Sequence, residues 1–526
     1  MTKKIKSYIS REGYIIEKSS IALDELSHLK ESLLVTPTVL EDFSKDIKPF
    51  PLYHENEEHI SIPRYFGRKE YGDAQKKFIS HEVSFQFTKE LRKPQLDVID
   101  VVLPKIVGQG GGVISLPCGA GKTVISLYLA QKIGLKTLVL VHKSFLQSQW
   151  VDRATTFTNA KIGTIRGPII DIDDKDIVIG MIQSISMKDY EKNIFDGFGL
   201  VIVDECHHIA SRVFSKALYK TATQYTIGLS ATPKRADGLT KIIHWYLGKM
   251  IYQQERKCDN NIVVRKFNLI LEDPLFIEKM VYTKGKSRPN APKMITNFCQ
   301  IERRNQLILR IIEILRQNPK RKILILSGRI SHLEFLKNTI DERINNDIQH
   351  GKLLENECRT FYYIGKMKQT ERKQAELYGD ILFASYEMAH EGLDIDRLNT
   401  VILATPKKSV IQAIGRIMRK TLTSDDLKPL IVDITDDISI FTNQGRVRKN
   451  LYKKNNYNIQ EFMVNNKYQI SINDYKKDNN MFNKKNNKKI SEIFQEDEIN
   501  KISYFQNNKI QKININADTF ETCLLD

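Results

Sequence analysis

The chain has 526 residues, more than one hydrophobic core usually supports, so several domains are expected. Its formal net charge of +18 fits a polyanionic partner such as nucleic acid, although a chain-wide excess of Lys, Asn and Ile contributes to it. Six cysteines (118, 206, 258, 299, 358 and 523) form no C-x-x-C pair, which argues against a zinc ribbon or disulfide framework, and no run approaches the ~20 apolar residues of a membrane span.

Met1 to Lys6 lead into a polar stretch without an apolar core of signal length, so a soluble, unsecreted protein is expected. Residues 1–88 read as a small accessory domain. It holds an apolar Tyr14-Ile15-Ile16, a predicted helix from about Leu23 to Leu34, and a stretch from Ile60 to Gly67 that alternates like an edge strand ending in a loop. From 89 to 250, strand-length apolar runs alternate with helical patterns: Gly112 to Ser115, Thr137 to Val141, Ile177 to Ile179, Leu200 to Val203 and Thr226 to Leu229. β-Branched runs separated by helices predict a parallel sheet covered on both faces. Residues 251–300 are charged and irregular and read as a linker or insertion, with a loop at Lys284 to Pro289. The alternation returns over 301–440, with strands at Lys322 to Leu326, Thr360 to Tyr363, Asp380 to Ala384, Val401 to Ala404 and Leu430 to Asp433. Residues 441–526 form a basic, Asn/Lys-rich extension expected to be partly disordered, in which Arg446, Arg448, Lys449, Lys453 and Lys454 could add phosphate contacts.

Three segments carry chemistry. Pro117-Cys118-Gly119-Ala120-Gly121-Lys122-Thr123 lies between an apolar strand and a helix. In that setting the turn's backbone N–H groups face a phosphate, the glycines allow close approach, Lys122 reaches the outer phosphates and Thr123 can hold magnesium. Asp204-Glu205 follows the strand at Leu200 to Val203, where Asp204 can bind magnesium through water and Glu205 can polarise the water that attacks the γ-phosphate. His207 and the Ser230-Ala231-Thr232 segment are placed to pass nucleotide state outward. A metal pair at His207 and His208 is disfavoured, because adjacent histidines lack helical ligand spacing. In the second half, Gln412, Arg416 and Arg419 have helical spacing that puts them on one face, and two guanidinium groups there suit the charge on a transferring phosphoryl group.

The order of these segments resembles that of superfamily 2 helicases of the DExH type, over about residues 90 to 440. Leu91-Arg92-Lys93-Pro94-Gln95 looks like the adenine-reading segment, with Gln95 as base contact and Arg92 beside it. The resemblance implies an α/β fold with two tandem RecA-like parallel-sheet domains, ATP and Mg2+ as cofactors, and a nucleic-acid strand gripped by backbone contacts. It assigns strand contacts to His142, Lys143, Ser144, Gln183 and Ser184 in the first domain and to Gly328, Arg329 and Ser385 in the second. Gly392, Asp394 and Gln412 are implied as nucleotide contacts, and His207, Ser230 and Thr232 as coupling residues. The loop Leu116-Pro117-Cys118-Gly119-Ala120-Gly121-Lys122 is similar to that of XPB-like helicases. Their Arg-Glu-Asp, however, is Arg235-Ala236-Asp237 here, and in place of their large N-terminal part under a hundred residues are expected ahead of the motor. A short chain with Pro63-Arg64-Tyr65-Phe66-Gly67 ahead of the motor looks more like the poxvirus-type helicase that releases nascent transcripts, relatives of which occur across large DNA viruses. The expectation is a 3'-to-5' DNA helicase or translocase in viral transcript release, termination or repair, working on single-stranded or tailed DNA with RNA polymerase or transcription factors as partners. Its expected location is a cytoplasmic viral factory or the virion, with no membrane. A DExH RNA helicase and a nucleic-acid-binding scaffold with a degenerate motor are the alternatives.

Overall fold

The computed structural model describes residues 5–36, 49–117, 119–211, 213–231, 238–255, 261–283, 285–365, 367–391, 393, 395–418, 426–464 and 470–472. The chain divides into two compact units, Met1–Glu255 and Arg256–Asp526.

The first unit is built on an eight-stranded sheet in the order Ile169–Asp171, Ile162–Arg166, Ile177–Met181, Thr137–Val141, Leu200–Val203, Tyr225–Ser230, Gly111–Ser115, Met250–Gln253. All pairings are parallel except that of the edge strand Ile169–Asp171. Strand periodicity splits each apolar run between two cores. Ile114, Val139, Ile179, Ile202 and Ile227 face the helices Lys93–Gln109, Lys122–Ile133 and Ser144–Phe157. Val113, Leu138, Val178 and Val201 face the opposite layer, which includes Ile185, Leu218, Ile242 and Leu247.

That second core continues into the N-terminal residues. A small sheet, ordered His54–Glu55, His59–Ile62, Gly13–Glu17, Ser7–Ser10, Gln75–Lys76, contributes Ile9, Tyr14, Ile16 and Ile60 to it. The strand His59–Ile62 is interior to this sheet, and the expected loop at Pro63 to Gly67 is instead the start of a helix, Arg64–Tyr71. Pro63 caps it with a φ already suited to a helix start, and Arg64, Phe66 and Gly67 turn inward. Arg64 donates to the carbonyls of Thr223 and Gln224, both at 2.9 Å, and Phe66 packs edge-on against Trp245.

The second unit carries another eight-stranded sheet, ordered Thr360–Tyr363, Ile381–Ser385, Ile323–Ser327, Thr400–Leu403, Leu430–Asp436, Val263–Leu269, Asn458–Val464, Ile470–Ile472. Only the last pairing is antiparallel. The five strands expected between 301 and 440 are all present, each within a few residues of its expected ends. Two further strands come from segments read otherwise. Val263–Leu269, in the stretch read as a linker, lies inside the sheet, and Asn458–Val464 comes from the basic extension. The helix Ser439–Lys454 belongs to the same extension, and its Arg448 is buried against Asp433 at 2.7 Å, so Arg448 is a core ion pair and no tail contact. The loop expected at Lys284 to Pro289 contributes the strand Lys286–Pro289 to a hairpin with Met280–Thr283. Among the described residues, no helix is long and apolar enough to cross a membrane.

Candidate active site

The phosphate loop leaves the sheet at Ser115, and the helix Lys122–Ile133 begins at its far side. Gly119 and Gly121 have φ of 84° and 86°, a left-handed backbone that favours glycine and turns the loop tightly onto the helix N-terminus. Gln95 packs against that turn: a methyl group at Gly121 would collide with its side-chain amide. Its Oε1 also accepts from the backbone N–H of Arg92 at 3.0 Å, which fixes the entry to the helix Lys93–Gln109. Gln95, Arg92, Pro117, Gly119, Ala120, Gly121, Lys122 and Thr123 therefore belong to one neighbourhood.

The acidic pair meets the loop from the neighbouring strand end. Lys122 Nζ lies 3.9 Å from Glu205 Oε1 and 3.4 Å from the Leu116 carbonyl, both long contacts for an ammonium. Glu205 is held at φ 46°, a strained conformation for a residue with a side chain, and its buried Oε2 accepts no hydrogen bond. Asp204 accepts from the Trp150 indole N–H at 2.8 Å through Oδ2 and from the Glu205 backbone N–H at 3.0 Å through Oδ1. Burial, and then the charge of Glu205, push the Asp204 carboxyl above its ordinary range, opposed by the Trp150 bond and the Lys122 ammonium. Two carboxylates crowded beside one ammonium, one of them with an unsatisfied oxygen, fit a site for a divalent cation and a phosphate.

His207 extends this group. Its Nδ1 lies 3.4 Å from Glu205 Oε2 and 3.0 Å from Ser230 Oγ, so the acidic pair and the strand end of Tyr225–Ser230 share one side chain. The rings of His207, His208 and His142 follow each other at 4.2 and 4.1 Å between centroids. Gln183 donates to the His142 carbonyl. Lys143 and Ser144 start the helix Ser144–Phe157, and Ser184 Oγ accepts from the Gly167 backbone N–H at 2.9 Å. His142, Gln183 and Ser184 thus have internal partners along one end of the sheet.

In the second unit, Gly328 and Arg329 follow the strand Ile323–Ser327, and Ser385 ends the strand Ile381–Ser385. The Gly328 N–H donates to Thr405 Oγ1 at 2.8 Å. Arg329 is committed to its own unit, with Nε on Thr296 Oγ1 at 2.9 Å and Nη2 on the Pro292 carbonyl at 2.6 Å. Of the three residues expected on one helical face, Gln412 and Arg416 are described. Gln412 lies in the short α-helix Ile411–Ile414 and Arg416 in the tighter 3-10 turn Gly415–Ile417 that follows it. Arg416, 8% exposed, donates to the carbonyls of Ala389 and Leu393, both at 2.7 Å. Cys118, Thr232, Gly392, Asp394 and Arg419 lie outside the described residues.

Trp150 is not among the site residues expected from the sequence, yet it holds Asp204. A usable signal was present: the chain has only two tryptophans, and this one lies on the helix that follows the apolar strand Thr137–Val141.

Residues 88–235 match the family model described as type III restriction enzyme, res subunit, and residues 305–421 match the helicase conserved C-terminal domain. The chain is 38% identical over 475 residues to a protein of Acanthamoeba polyphaga mimivirus whose name provisionally assigns it as an ATP-dependent RNA helicase, with 88% of each chain covered. A protein of Invertebrate iridescent virus 6, provisionally named a helicase, is 30% identical over 400 residues, covering 73% of this chain and 85% of the relative. A fragment structure of a provisionally named HsdR subunit of a type I restriction enzyme from Vibrio vulnificus YJ016 matches with TM-score 0.50 and 17% identity, over 72% of this chain and 70% of that one, a likeness of fold alone.

Proposed function

Because the chain belongs to the superfamily 2 helicases of large DNA viruses and is an ATP-dependent helicase, we propose that it couples hydrolysis of Mg2+-bound ATP to 3'-to-5' movement on DNA. The observation that carries the ATP chemistry is the convergence of Lys122 and the Asp204-Glu205 pair, with Lys122 and Glu205 3.9 Å apart beyond the C-terminal ends of interior strands of a parallel sheet. Lys122 and the loop N–H groups bind the outer phosphates. Thr123 and Asp204 would hold Mg2+, which when bound neutralises charge on the phosphates. Glu205 orients and deprotonates the attacking water, and its unsatisfied oxygen suits that task. Arg416 and Arg419 stabilise charge on the transferring phosphoryl group, Arg416 while also bracing Ala389 and Leu393. The setting we infer is transcript release, termination or repair in the viral factory, alongside RNA polymerase or transcription factors.

An RNA substrate is the second reading, favoured by the name of the mimivirus relative. The deciding measurement is ATP hydrolysis and strand displacement on DNA and RNA duplexes carrying 3' or 5' tails. DNA with a 3' tail is expected to stimulate both, and Lys122→Ala to reduce turnover to background. Glu205→Gln is expected to lower kcat by about 100-fold or more while ATP still binds. Stimulation by RNA alone moves the reading to an RNA helicase. Wild-type hydrolysis no faster than that of Glu205→Gln leaves only a scaffold.

A further inference from the structure

The hairpin Met280–Thr283 and Lys286–Pro289 forms a two-stranded sheet of its own, outside the large sheet of the second unit. Cross-strand partners share a face, so Met280 with Pro289 and Tyr282 with Ser287 lie on one side, and Val281 with Arg288 on the other, where Lys286 also falls by strand alternation. Tyr282 is 75% exposed and Met280 51%, which leaves an aromatic-apolar strip facing water. The opposite face carries Lys286 and Arg288.

Charge here exceeds the chain's general bias. The whole sequence has 81 cations to 63 carboxylates, whereas the stretch Lys279 to Lys293 holds Lys279, Lys284, Lys286, Arg288 and Lys293 and no Asp or Glu. A bias toward lysine alone would not remove the acids as well.

The base of the hairpin is anchored. The Asn290 N–H donates to the Lys279 carbonyl at 2.6 Å, and the Asn290 side chain caps the helix Ala291–Phe298 that follows. Phe276, before the hairpin, and Met294 and Phe298, on the helix after it, join Phe441 in a separate core. Arg329 ties that same helix, through Pro292 and Thr296, to the loop after the strand Ile323–Ser327.

We propose that this hairpin is a contact for single-stranded nucleic acid, with Tyr282 stacking on an unpaired base while Lys286 and Arg288 meet backbone phosphates. An exposed aromatic on a ribbon with cations and no carboxylates fits what such a strand offers, a π-face on every base and a charge on every linkage. A protein partner would more readily use a ribbon of mixed charge. The proposal rests on the helicase reading, and its test separates the two.

Binding of a fluorescein-labelled oligo-dT, and quenching of a 2-aminopurine placed along a second oligonucleotide, would be measured with the full-length protein. Tyr282→Ala is expected to weaken binding by about tenfold and to abolish the quenching, whereas Tyr282→Trp retains both. Lys286→Ala combined with Arg288→Ala should reduce the slope of log affinity against log salt by about 0.7 for each phosphate that is no longer neutralised. If the wild type binds and Tyr282→Ala binds and quenches equally, the hairpin proposal is overturned alone. If the wild type binds no DNA or RNA oligonucleotide, the helicase reading fails and the hairpin proposal with it.

Discussion

Asp204 takes its position from a residue distant in sequence. Trp150→Phe keeps the ring packed but removes the donor, leaving Asp204 Oδ2 without its partner at a cost of about 1–3 kcal/mol. Weaker Mg2+-dependent binding of a fluorescent ATP analogue is expected, with binding in the absence of Mg2+ unchanged. A Trp150→Phe protein with the wild-type Mg2+ requirement would remove Trp150 from any role in orienting the site. Lys122, Asp204 and Glu205 were legible because each sits in a local strand-end context, whereas Trp150 and Asp204 are 54 residues apart and only the fold joins them. Arg416 shows the opposite difficulty. Its spacing from Gln412 suggested a shared helical face, whereas its bonds to the Ala389 and Leu393 carbonyls, more than twenty residues away, come only with the fold.

Among the elements, legibility followed burial chemistry. Runs such as Leu200–Val203 are apolar throughout and declare a strand buried on both faces. Val263–Leu269 is just as buried, yet it carries Arg265, Lys266 and Asn268 and so reads as surface. Lys266 lies 3.6 Å from Glu461, a partner on the strand Asn458–Val464, and burial lowers its pKa. No local pattern could reveal that compensation. The helix Ser439–Lys454 repeats it, since Arg448 makes two bonds to the buried Asp433, which also accepts from Tyr452. Burial acts to raise the Asp433 pKa, but the Arg448 charge and hydrogen bond prevail and hold the carboxyl below its ordinary range. Arg448→Ala should therefore destabilise the protein by about 3–5 kcal/mol, because an unpaired buried carboxylate remains. Lys453→Ala, on the same helix, should change stability by no more than about 0.5 kcal/mol. Chemical denaturation of the two variants, compared with wild type, decides whether Arg448 belongs to the core or to a solvated tail.

At the scale of the molecule, the parallel sheets collect the chemistry. Each places the C-terminal ends of several strands together, so motifs far apart in sequence converge within a unit. The N-terminal residues are part of the first of these bodies, because their small sheet and the main sheet share one continuous core. Arg64 closes that junction, 2% exposed, on carbonyls some 160 residues away. Arg64→Ala should strand those carbonyls and lower the stability of the first unit by about 1–3 kcal/mol, read as earlier loss of protection from hydrogen exchange in both sheets together. Protection lost from the small sheet alone would show that the junction is weaker than its packing suggests.

Such a junction makes the small sheet a handle on the body that carries Lys122, Asp204 and Glu205. A dye, bead or viral protein fastened to the strands around Ile60 rides with the phosphate loop itself, with no slack linker to blur the record. Any displacement followed from that point is the displacement of the half that carries the phosphate loop.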